Sequence, residues 1–93
     1  DPARVVRALS VPCSTGEEPY SLAMALADAG VPADRTEIDA ADISPPALDA
    51  ARRAMYREFS FRQCPPGLKD RHFRPHGPGW ELLPAVRNRV RFA

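Results

Sequence analysis

Residues 19–29, PYSLAMALADA, carry apolar side chains nearly all the way round a helix, and Gly30 stands where such a helix stops. A helix of that kind needs cover on several sides and finds it against a sheet. The run before it, Val5 to Val11 (VVRALSV), is short, β-branched and bounded by Pro12, so it reads as a strand. The pattern then repeats. TEIDAAD, residues 36–42, is a second strand candidate, and Ser44 with Pro45 and Pro46 gives a strong start signal for a second helix. Its apolar stripe is Ala47, Leu48, Ala51, Ala54 and Met55, with Asp49, Arg52 and Arg53 opposite. Beyond it the signal weakens: CPPGLKDRHF reads as one helical turn, RPHGPG is turn-rich and brings Trp80 back toward Phe73, and NRVRFA is a third strand candidate. Strand, helix, strand, helix, irregular segment and strand predict an α/β fold with parallel pairing through right-handed crossovers.

With 93 residues, 44% of them hydrophobic, the chain is one domain or part of one. A domain of this size buries roughly 60–65% of its unfolded surface, so its core is thin. A net charge of +1 exerts no overall pull on nucleic acid or an anionic membrane. The arginines crowd into the second half, but aromatic stacking residues do not cluster with them, and they read as a solvated face. Cys13 and Cys64 stand in unrelated contexts, without the spacing of a metal site or a disulfide framework, and fit a reducing cytoplasm. No apolar run reaches the roughly 18 residues of a membrane span, and no signal peptide opens the chain. Asp1 at the head and a strand candidate cut at VRFA point to a piece of a longer protein.

The turn between the first strand and the first helix, CSTGEEPYS (13–21), carries the chemistry. A dinucleotide-binding turn needs several glycines so that its backbone can approach a pyrophosphate at a helix N-terminus. This one has only Gly16 and sets Glu17 and Glu18 at the same mouth, with Pro19 placed to open the helix and Glu18 just outside it. A pyrophosphate there is repelled. A phosphate-free ligand with positive charge is attracted, and S-adenosylmethionine, with its sulfonium and ammonium groups, is such a ligand. Asp42 closes the second strand 24 residues after Glu18, near the spacing of about 20 at which an acid holds ribose hydroxyls. Each signal has a structural alternative: Thr15 to Glu18 also fits a capping box, acids at a helix N-terminus suit the macrodipole, and Asp42 with Ser44 fits an ordinary cap.

CSTGEEPYSLAMALAD and AADISPPALDAARRAMY resemble the two signature segments of the CheR-type chemotaxis-receptor methyltransferases, which use S-adenosylmethionine to methylate receptor glutamates. The likeness continues more loosely through FRQCPPGLKDRHF and GWELLPAVRNRVRF, and so spans nearly the whole chain. It implies a partial Rossmann-like class I methyltransferase fold: a three-strand parallel half-sheet with flanking helices, residues 1–93 being the N-terminal portion of the domain. It places the cofactor on Ser14, Thr15, Gly16, Glu17, Glu18 and Asp42, with Glu18 preferred for the methionine end and Asp42 for the ribose. Pro12 and Ala41 depart from the family's usual small residue and hydroxyl residue, and neither change removes a carboxylate. The implied reaction is direct attack by a substrate glutamate on the sulfonium methyl. A carboxyl of pKa about 4.3 is already ionised at neutral pH, so no catalytic base is required, and His72 and His76 are expected to be loop residues without catalytic partners.

The family's N-terminal helical region, its later strands and its small inserted β-subdomain, which can grip receptor tails, are expected to be missing from this chain. Alone it is expected to be inactive, and its first strand, central in the parent fold, becomes an edge through which copies self-associate. The partner implied for the parent is the receptor's cytoplasmic region, with no nucleic acid and no membrane insertion. The competing reading is a non-catalytic cofactor-binding or protein-interaction module derived from the same fold.

Overall fold

In the computed structural model, which describes residues 4–62 and 64–93, two small sheets share one core. β1 (Val6–Ser10), β2 (Thr36–Ala40) and β6 (Val90–Phe92) form a parallel sheet in the order β1-β2-β6. α1 (Glu17–Asp28) joins β1 to β2, and α2 (Pro45–Arg53) follows β2. In β2 every second residue is buried, Thr36, Ile38 and Ala40, and this face meets Tyr20, Ala23 and Met24 of α1. The other face carries directly opposed charges, Arg7 against Glu37 at 3.0 Å and Arg91 against Asp39 at 2.9 Å. β1 is an edge of this sheet, with Leu9 74% exposed. The expected three-strand parallel half-sheet with flanking helices is therefore present.

The boundaries move for identifiable reasons. α1 begins at Glu17, two residues before Pro19, so Glu18 lies inside the first turn rather than outside the helix. First-turn N–H groups have no intrahelical partner, so a proline within that turn removes no bond. α2 stops at Arg53 because Ala54 turns left-handed (φ 53°), and Met55 leaves the expected helical stripe for a new strand.

That strand corrects a larger expectation. β3 (Met55–Tyr56), β4 (Phe73–His76) and β5 (Gly79–Leu82) form a three-stranded antiparallel sheet, order β3-β5-β4, inserted between α2 and β6. The segment is thus not irregular, and an inserted β-sheet is not missing. RPHGPG does turn the chain back, but Trp80 faces Pro75 and Tyr56, and Phe73 faces Leu82. Phe61 joins the two aromatics, with ring centroids 4.8 Å from Phe73 and 6.4 Å from Trp80.

His72 is likewise not a loop residue. It ends α3 (Leu68–His72), is buried, and lies with Nε2 2.8 Å from Asp28 Oδ1, while Arg71 grips the same carboxylate through Nε and Nη2. The Arg71 bonds, more than His72, hold the Asp28 carboxyl below its usual range. This cluster ties the end of α1 to the inserted segment. The short helix α4 (Pro84–Arg87) then leads from the inserted sheet to β6. Among the described residues no helix is long and apolar enough to cross a membrane.

Candidate functional site

At the carboxyl ends of β1 and β2 the two strands stay joined beyond their last ladder residues. Ala41 N–H donates to Ser10 O at 3.0 Å, and Cys13 N–H donates to Ala41 O at 2.8 Å. Between them the chain runs through a cis Val11–Pro12 peptide, then turns at Ser14 (φ 52°) and Gly16 (φ 96°) into α1. Cys13 is buried beneath this turn, where burial first and the Asp42 charge second push its thiol pKa up.

Asp42 organises the mouth. Its Oδ2 accepts the Ser14 N–H at 2.8 Å and its Oδ1 accepts the Ser44 N–H at 2.9 Å. One carboxylate therefore fastens the first turn to the start of α2. The cap of α2 is Ser44, whose Oγ accepts the Ala47 N–H at 3.3 Å. Asp42 is not that cap, and each of its oxygens keeps a further acceptor position.

The two glutamates face different ways, as neighbours about 100° apart on a helix must. Glu18 Oε1 accepts a 2.7 Å bond from Ser10 Oγ at the end of β1. Glu17 instead accepts the Thr15 hydroxyl and faces Tyr56, whose phenol pKa its charge helps to raise after the larger effect of burial. The capping box that Thr15 to Glu18 also fits does not form, because Gly16 is the N-cap and α1 has no side-chain cap bond.

Gly16 is packed against protein on the side where a Cβ would stand. A Cβ on it would lie 3.0 Å from Ala51 Cβ and 3.1 Å from both Tyr20 Cε2 and the Tyr56 hydroxyl. Its free side is filled by protein, which leaves no glycine cradle for a pyrophosphate. The turn is held from below by Tyr56, whose hydroxyl donates to Thr15 O at 2.8 Å, and Tyr20 beside it donates to Ala51 O at 2.7 Å. Burial pushes the Tyr20 phenol up to about 12.

Of the six expected site residues, Ser14 and Asp42 are in direct contact, Glu18 stands at the end of β1, and Thr15, Gly16 and Glu17 form the side toward Tyr56. Sequence reading passed over Ser10, Tyr56 and Ile43. The alternation in β1 could have flagged Ser10 as a polar residue turned inward, and Ile43 is a fully exposed apolar residue beside Asp42.

Strand–helix units on a parallel sheet, with a turn poor in glycine and rich in acid at the strand ends, make an α/β domain, and the family match places it in the class I methyltransferase type. Over residues 1–93 the chain matches the family described as "CheR methyltransferase, SAM binding domain", and it belongs to that family. It is 47% identical over 89 residues to "Probable biofilm formation methyltransferase WspC" of Pseudomonas aeruginosa, covering 96% of this chain and 21% of that protein. It is 37% identical over 94 residues to "Chemotaxis protein methyltransferase 1" of the same species, covering 94% of this chain and 34% of that protein. Against "Chemotaxis protein methyltransferase" of Escherichia coli it is 42% identical over 74 residues, covering 77% and 26%. The chain thus spans between a fifth and about a third of the length of these relatives.

Proposed function

We propose that residues 1–93 are part of a larger methyltransferase domain and hold the amino-acid and ribose portions of S-adenosylmethionine in an enzyme that methylates glutamate carboxylates of chemotaxis-type receptors. The observation that carries this reading is the Asp42 carboxylate, fixed by two backbone N–H groups at the strand ends and keeping acceptor positions for a diol. Glu18, oriented by Ser10, supplies negative charge for the ammonium and sulfonium end. Ile43, beside Asp42, offers an apolar face to the base. The bound cofactor supplies an electrophilic methyl group. The protein's task is then to align it and exclude water, since the acceptor glutamate is ionised without help.

The test is calorimetric titration of S-adenosylhomocysteine into the intact protein, followed by incubation with labelled cofactor and a receptor cytoplasmic fragment. Binding with transfer to receptor is expected. Binding without transfer favours the non-catalytic cofactor-binding module, and no binding overturns the cofactor reading and leaves the protein-interaction module.

The same reading bears on the 93-residue chain in isolation. Among the described residues β1 has no partner on one side, with Val6 and Leu9 in it and Val11 just beyond it exposed, which is a template for strand pairing. The isolated chain is expected to self-associate through it. Light scattering after size exclusion that gives a monomer mass throughout the micromolar range would refute this.

A further inference from the structure

Tyr56 belongs to the inserted sheet by its backbone and to the cofactor turn by its hydroxyl. Its peptide pairs with Trp80 across β3 and β5. Gly79 lets that pairing come close, since a Cβ there would lie 2.6 Å from Tyr56 O. Its ring meets Phe73 edge-on at 6.2 Å and Tyr20 at 6.5 Å. Beyond the ring, the hydroxyl donates to Thr15 O at 2.8 Å and fills the space that Gly16 leaves open.

Among the described residues no other hydrogen bond joins the inserted sheet to the turn itself, and this one spans 41 residues of sequence. Burial first, and the facing Glu17 carboxylate second, raise the phenol's pKa, so it remains a donor across the ordinary pH range. The Thr15 carbonyl therefore keeps its phenol donor across that range.

We infer that Tyr56 is a positioning residue for cofactor binding, holding the 14–18 turn in its binding-competent shape and coupling occupancy of that turn to the order of the inserted sheet. The inference rests on the cofactor reading above. If only part of the population has the turn in shape, apparent affinity falls by that fraction, and removing the anchor lowers the fraction. Coupling of this kind is reciprocal, so a ligand that orders the turn also orders what the turn is tied to.

Tyr56→Phe keeps the ring and deletes the bond. It is expected to weaken S-adenosylhomocysteine binding about five-fold, the factor that corresponds to one typical hydrogen bond. Tyr20→Phe is the matched control, since it keeps its ring beside Gly16 but deletes a phenol-to-carbonyl bond of similar length that ends on Ala51 of α2 rather than on a residue of the turn, and is expected to leave affinity unchanged. In wild type, S-adenosylhomocysteine is expected to slow amide exchange across β3 and β5, and in Tyr56→Phe that added protection is expected to vanish. Exchange there that ignores the ligand in wild type overturns the inference whether or not the variant folds. So does wild-type affinity in a folded Tyr56→Phe protein, or equal weakening by Tyr20→Phe. Failure of the wild-type protein to bind at all overturns the cofactor reading and this inference together, and so is told apart from failure of the inference alone.

Discussion

Asp42→Ala is expected to weaken S-adenosylhomocysteine binding by roughly 5–150-fold, the equivalent of about 1–3 kcal/mol for hydroxyls left unpaired in a desolvated site. The substitution also frees the Ser14 and Ser44 N–H groups, which now share one carboxylate at 2.8 and 2.9 Å. Both groups lie near solvent, where water can replace the lost acceptor, so the fold should survive a change that the ligand does not tolerate. Asp42→Asn separates the two roles. It keeps the shape and one acceptor oxygen but turns an N–H donor toward one of the two backbone donors, and it is expected to fall between Ala and wild type. Calorimetry on the intact protein decides, with circular dichroism as the control for folding. An Asp42→Ala protein that is folded and binds with wild-type affinity would reduce this acid to a staple between the turn and α2.

The largest effect on stability is expected at Gly16. Gly16→Ala must accept φ 96°, a left-handed geometry that is unfavourable by about 1–2 kcal/mol for a residue with a Cβ. The new methyl also arrives 3.0 Å from Ala51 Cβ and 3.1 Å from Tyr20 and Tyr56, and such overpacking typically adds about 1–3 kcal/mol. The sum, about 2–5 kcal/mol, is a large share of the roughly 5–15 kcal/mol that holds a domain together. Gly30 provides the comparison. It has a similar φ of 84° but nothing within 4 Å of its added Cβ, so Gly30→Ala is expected to carry only the backbone part. Urea unfolding of both variants measures the difference. Equal midpoints for the two would mean that Ala51, Tyr20 and Tyr56 move aside freely, and the packing account of Gly16 would fail.

How much of this could be read beforehand depends on the range of the interactions. β1, α1, β2 and the start of α2 were legible because periodicity, Pro45 and the Ser44 cap are local signals. The inserted sheet was not, because strands of two to four residues are too short to show alternation, and Pro75 and Gly79 read as turn. Asp42 and the 14–18 turn were visible as separate acid signals, but their direct bond was not, since 28 residues of sequence separate Ser14 from its acceptor. Tyr56 was invisible for the same reason. His72 was misjudged because its partner, Asp28, lies 44 residues away at the end of another helix.

The turn after β1 has one further property, which concerns its portability. Its backbone leans on Ala41 through the Cys13 N–H, on Asp42 through the Ser14 N–H, and on Tyr56 through the Thr15 carbonyl, and its second acid, Glu18, is set by the Ser10 hydroxyl. Within the turn, the bond from Gly16 N–H to Cys13 O at 3.0 Å is its own. The six residues CSTGEE therefore do not encode their own shape, which is imposed by a strand neighbour, the start of the next helix and an inserted sheet. Transplanted onto another strand–helix junction, the same letters would arrive without the contacts that fold them. A scan that scores the motif alone would then credit chains that share the spelling and lack the site.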